Sequence, residues 1–121
     1  MFKVDSDITK NRLYITLENL ATEDVNPILE ELSNKIAKLS SGFTCLVDIR
    51  TMSLDPITKG SEYIEIVQGA LADSGMRKVV RLISKGNPTF HTRMEDSSTH
   101  LSYIALPAYS YEEAEMLLDE N

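Results

Sequence analysis

Two apolar runs constrain this chain more than anything else in it. One covers residues 43–49, where Phe43, Cys45, Leu46, Val47 and Ile49 are broken only by Thr44 and Asp48; the other brings together Val79, Val80, Leu82 and Ile83. Short runs of this kind read as strands covered on both faces, the condition of a parallel sheet carrying helices. Between them Ile57, Gly60, Ile64, Val67 and Leu71 recur at helical spacing, and Gly75 closes the stripe. Strand, helix, strand is a crossover unit. The spacing therefore predicts that the two runs lie side by side and point the same way.

The flanking segments extend the pattern. Phe2 and Val4 alternate with polar neighbours, then Leu13, Ile15 and Leu17 do the same after Asp5, Ser6 and Asp7. Period-two alternation marks strands with one wet face, and the short turn predicts an antiparallel pair at an edge. Val25, Ile28, Leu29, Leu32, Ile36 and Leu39 then form one face of a helix over residues 22–39. Thr22 stands as its N-cap, Glu23 and Asp24 fall in the first turn, and Gly42 suits a left-handed C-terminal position. After the break at Lys85, Gly86, Asn87 and Pro88, the residues Phe90, Met94 and Leu101 predict a shorter helix. Residues 103–106 predict a last strand, Ser110 and Glu113 a capping box, and Ala114, Met116, Leu117 and Leu118 the packed side of a final helix. The order is ββαβαβαβα. The expected fold is a single-domain α/β structure with a mixed, mostly parallel sheet of about five strands and about four helices.

Composition narrows the function classes. Nineteen acids against twelve lysines and arginines leave a net charge of −7. Nucleic acid and anionic membrane surfaces call for the opposite sign, so neither is an expected partner. No apolar run approaches the roughly 20 residues of a membrane span. Cys45, the single cysteine, sits inside the first apolar run, where a buried, inert thiol is the ordinary outcome. No charged and then apolar leader opens the sequence, so a cytoplasmic location is expected. No linker or internal repeat divides the chain.

The order of elements, the helix over residues 22–39 and the segment Leu46, Val47, Asp48, Ile49, Arg50 resemble the STAS domain. The resemblance is stronger to the small SpoIIAA-like bacterial proteins, in which an apolar strand ending in Val-Asp-(Ile/Leu)-Arg leads into the second helix. It implies an anti-sigma-factor-antagonist type of module that works by contacting a protein. In phosphorylatable members an Asp-Ser dipeptide opens the second helix, and a kinase modifies the serine. Here Asp55 is followed by Pro56, which has no hydroxyl. The standard switch is therefore not expected. Ser53 is the candidate substitute, with Thr51 beside it, while Asp55 reads simply as a helix cap.

Ligands of open α/β sheets sit beyond the carboxyl ends of the strands. The loops expected there cover residues 50–56 and 84–93. Their polar residues are Arg50, Thr51, Ser53 and Asp55 in the first, and Lys85, Asn87, His91 and Arg93 in the second. Arg77, Lys78, Arg81, Lys85 and Arg93 come with no acid between residues 77 and 93. That stretch reads either as a site for a carboxylate, a phosphate or an acidic partner, or as cations balancing nearby acids.

His91 and Glu95 could share a helix face, yet no second cluster completes a metal site, and no metal or cofactor is expected. No nucleophile elbow or phosphate-binding glycine loop occurs. Glu112, Glu113, Glu115, Asp119 and Glu120 read as the solvated face of the last helix or as an acidic docking surface. Tyr103, Tyr109 and Tyr111 suit either an interface or the core. The leading expectation is a non-catalytic interaction module whose partner is a protein or a second copy, as in a homodimer. The alternative is a carrier or sensor of a small anionic, nucleotide or lipid ligand, since members of the resembling folds hold such molecules. An enzyme is the third and weakest, and would need Arg50, Ser53, Asp55 and His91 to converge.

Overall fold

The computed structural model describes the backbone of residues 2–18, 22–50, 60–84 and 103–120, and their side chains except at 22 and 60–65. Strands β1 (Phe2–Asp7) and β2 (Arg12–Leu17) form a hairpin. A 3-10 turn at Thr22–Asp24 leads into α1 (Val25–Ile36), followed by β3 (Thr44–Asp48), α2 (Gly60–Asp73) and β4 (Lys78–Leu82). Strand β5 (Ile104–Ala108) and helix α3 (Tyr111–Asp119) complete the described elements. The strands lie in the order β1-β2-β3-β4-β5. Among the described residues only β1 and β2 pair antiparallel, and the other three pairings are parallel. Leu46 stands opposite Val80 and Asp48 opposite Leu82, so the two apolar runs are parallel neighbours as expected.

The period of two explains the layers. Leu13, Ile15, Leu17, Cys45, Val47, Val79 and Ile83 point to one face, where Ile28 and Leu32 of α1 and Val67 and Leu71 of α2 close the main core. Leu46, Val80, Leu82 and Ala108 point to the other, where Ala114 and Leu118 of α3 cover them. Both faces of β3 and β4 are thus dry, which is why those strands read as continuous apolar runs.

Several local expectations are corrected. The hairpin turn falls after Asp7, not within residues 5–7, because Asn11 takes a positive φ of 52° and donates its backbone N–H to Ile8 O at 3.2 Å. Asn11 also ties the turn to the loop before β3, accepting from Ser40 N at 2.8 Å. Helix α1 opens from the 3-10 turn with Asp24 at the N-cap position and no side-chain cap, rather than on Thr22. It ends at Ile36, so Gly42, at φ 86°, shapes the entry to β3 and does not cap the helix. The face of β2 expected to be wet is partly covered, since α3 lies over Tyr14 and Arg12 is buried, while Thr16 stays half-buried. Met116 is 58% exposed on the outer side of α3 instead of packing. The helix expected from Phe90, Met94 and Leu101 lies outside the described residues.

Candidate functional site

The carboxyl ends of β3 and β5 and the start of α3 meet at one end of the sheet. Strand β3 stops at Asp48, and Ile49 still donates to Leu82 O at 3.0 Å. The chain then turns so that Arg50 N donates to Asp48 Oδ1 at 3.1 Å. The same carboxylate receives Arg50 Nε at 3.0 Å and Nη2 at 2.8 Å. This fork-on-carboxylate geometry is the strongest form of a side-chain ion pair. It fixes the guanidinium with its side chain 44% exposed, while Asp48 is 16% exposed. The hydrogen bonds that it donates to Asp48 hold the guanidinium pKa above its ordinary value. Arg50 is therefore an oriented, locally neutralised cation rather than a free anion receptor.

Tyrosines surround that end. The rings of Tyr14 and Tyr111 stack with centroids 6.3 Å apart and planes within 7°. Burial first, then the neighbouring Glu115, pushes the Tyr14 phenol up to about 12. The Tyr111 phenol is raised as well, by burial and then by the charges of Glu115 and Asp48. Tyr109 is 40% and Tyr111 47% exposed. The third tyrosine of the expected group, Tyr103, is a core residue whose hydroxyl donates to Gln68 Oε1 at 3.1 Å. Ser110 accepts from Glu113 N at 3.1 Å, and the Glu113 carboxylate reaches back to Tyr109 N at 3.2 Å, one residue before the N-cap. The capping box expected at Ser110 and Glu113 is thus present in a displaced form, and it fixes the connection that carries both exposed tyrosines.

Of the polar residues singled out in the two loops, Arg50 is the one the structure places. Thr51, Ser53, Asp55, Lys85, Asn87, His91 and Arg93 lie outside the described residues. The positive stretch does not form a patch where it is described. Arg77 is exposed, but Lys78 is buried and donates to Leu117 O at 2.9 Å and Glu120 O at 2.8 Å. Arg81 is fully buried on the opposite face of β4 and donates to Gln68 Oε1 at 2.5 Å.

A polar cluster at the other end of α3 escaped the sequence reading. Arg12, at the amino end of β2, donates Nε to Thr44 Oγ1 at 3.1 Å, Nη1 to Glu115 at 2.6 Å and Nη2 to Asp119 at 2.7 Å. Lys10 joins Glu115 at 3.2 Å. With Lys78 on the last carbonyls, two cations meet the negative end of the helix dipole. Glu115, 21% exposed, therefore fastens α3 rather than joining a solvated face, while Asp119 holds Arg12 from a side chain that stays 63% exposed. The signal was available in principle: a helix whose charges are all acidic needs cations from the surface it covers.

The described residues also border a half-open cavity of about 150 Å³ between Phe2, Lys3, Thr16 and Glu18. Among them no three His, Cys, Asp or Glu side chains group to hold a metal ion. No described helix is long and apolar enough to cross a membrane.

No family model matches the chain, and no curated protein does either. A solved structure is similar: an uncharacterized protein of the DUF3478 family from Shewanella loihica PV-4, at 12% identity and a TM-score of 0.69. The match covers 98% of this chain and 92% of that one. That protein has a SpoIIAA-like fold, and so, by the course of its strands and helices, does this chain.

Proposed function

We propose that the chain is a non-catalytic regulatory module that meets a protein partner with the carboxyl edge of its sheet. The observation that carries this reading is what stands at that end of the sheet: a guanidinium held flat against Asp48 after β3, and the half-exposed Tyr109 and Tyr111 on the connection from β5 to α3. Arginine and tyrosine supply a disproportionate share of binding energy at interfaces. A braced fork and two-torsion rings lose little freedom on contact.

The strand order supports the same reading. Strands β2 to β5 advance across the sheet without reversal, and α1 and α2 both cover one face. Small ligands of doubly wound sheets use the crevice at a reversal of strand order, which the described strands do not form. The cavity between Phe2, Lys3, Thr16 and Glu18, at about 150 Å³, is smaller than the roughly 300–1,000 Å³ of ligand pockets, and it is not offered as the seat of the alternative, a small-ligand carrier. Proteins of the resembling group regulate sigma factors through a phosphorylated serine, and Pro56 occupies the equivalent place here. The module is accordingly proposed to act in the cytoplasm without that switch.

The test is a photo-crosslinking residue placed at Tyr109 in cells that express the protein. A discrete protein adduct is expected at Tyr109, lost with Arg50→Ala, and absent when the same residue replaces Met116 on the outer side of α3. No adduct at Tyr109 or Tyr111, or one indifferent to Arg50, sinks the proposal.

A further inference from the structure

The two edges of the sheet are not equivalent. On β5, Ile104 N donates to Arg77 O at 3.0 Å and Ala108 O accepts from Ile83 N at 2.9 Å. The even-numbered residues of β5 thus face β4, and Ala105 and Pro107 face outward. Proline has no N–H, so this edge lacks a donor that an added strand would need. Strand β1, of sequence Phe-Lys-Val-Asp-Ser-Asp, carries no proline.

The outward groups of β1 follow from the ladder. Thr44 N donates to Asn11 O at 3.1 Å, so Leu13, Ile15 and Leu17 turn their backbone groups to β3. Arg12, Tyr14 and Thr16 turn theirs to β1, where they engage Asp7, Asp5 and Lys3. The N–H and C=O groups of Phe2, Val4 and Ser6 are left facing outward. No strand among the described residues pairs with them.

We propose that this edge pairs with the same edge of a second copy, antiparallel, about a two-fold axis at Val4. The two five-stranded sheets then continue as one. Charge selects the register. Lys3 and Asp5 point to the same face, 3.5 Å apart, with side chains 74% and 55% exposed. An axis at Lys3 sets lysine against lysine, one at Asp5 sets aspartate against aspartate, and one at Ser6 sets Asp5 against Asp7. The axis at Val4 places each Lys3 opposite the second copy's Asp5, twice, with no like pair. It also pairs Phe2 with Ser6 and Val4 with Val4 through the outward backbone groups. Lys3 and Asp5 then meet at non-hydrogen-bonded positions, where opposing side chains come closest. This surface lies apart from the carboxyl edge and does not depend on the function proposed above.

Analytical ultracentrifugation over a concentration series tests the pairing. The full chain is expected to dimerise reversibly. Lys3→Asp and Asp5→Lys should each raise the dissociation constant about tenfold or more, because opposed pairs become like pairs. An equimolar mixture of the two variants should form a heterodimer, acids at positions 3 and 5 of one strand against lysines at positions 3 and 5 of the other, and the double variant should dimerise like the parent. Both positions are exposed, so an unchanged circular dichroism spectrum and melting temperature separate lost pairing from lost folding. A parent chain that stays monomeric up to its solubility limit overturns the proposal. So does a dimer that both single variants leave intact, or a mixture that fails to associate.

Discussion

Arg12 shows how one buried cation can organise a face. Its side chain is 4% exposed, yet each of its nitrogens that donates has an oxygen to receive it. A buried charge left without such partners costs several kcal/mol, on the order of 3–5. The carboxylates gain in return. Burial opposes the Glu115 anion, but the Tyr14 hydroxyl and the charges of Lys10 and Arg12 outweigh it, and its pKa falls below the ordinary 4.5. Asp119 is lowered too, chiefly by its hydrogen bond from Arg12. Because folding lowers the Glu115 pKa, its contribution to stability is complete above 4.5 and is lost as pH falls through the folded value. Urea midpoints measured from about pH 6 down to about pH 3 should therefore fall, and Glu115→Gln should flatten the decline. Equal slopes in the two proteins would remove Glu115 from this role.

The elements were legible where their own pattern decides them. The apolar runs of β3 and β4, the helical stripes of α1 and α2, and the serine cap of α3 each depend on neighbours a few residues away. Misreadings came where a distant element intervenes. Alternation in β2 suggested a wet face because Arg12 and Tyr14 are polar, but α3 lies on them, and the Arg12–Glu115 pair spans 103 residues. No local pattern announces such a partner. The carboxyl edge was anticipated through Arg50, yet its bidentate tie to Asp48 depends on a turn geometry that spacing alone does not fix.

Glycines separate backbone from packing at this scale. Gly75 ends the turn after α2 at φ 100°, and a Cβ there would stand 2.7 Å from Ser41 Oγ, whereas Gly42, at φ 86°, has nothing within 4 Å of its Cβ position. Gly42→Ala should cost about 1–2 kcal/mol for the left-handed backbone alone. Gly75→Ala should cost more, and Ser41→Ala in the same chain should recover only the difference. Chemical denaturation of the four proteins checks this ordering.

At the scale of the molecule, Cys45 sits in the middle of the sheet with no exposure, and burial pushes its thiol well above the ordinary range. The thiolate is the reactive form. Alkylation of Cys45 should therefore track global unfolding, with its rate against urea following the same free energy as circular dichroism. Labelling that is fast in native buffer would mean that the sheet opens locally between β2 and β4.

Helix α3 has a consequence for how the fold is reached. Lys10, Arg12 and Lys78 are made early and wait for oxygens contributed by residues 115–120. A nascent chain still short of that stretch can close the layer under α1 and α2, but not the opposite one. Synthesis through residue 120 thus becomes a condition for sealing the second layer, and a product truncated before that stretch has cations with no counterpart.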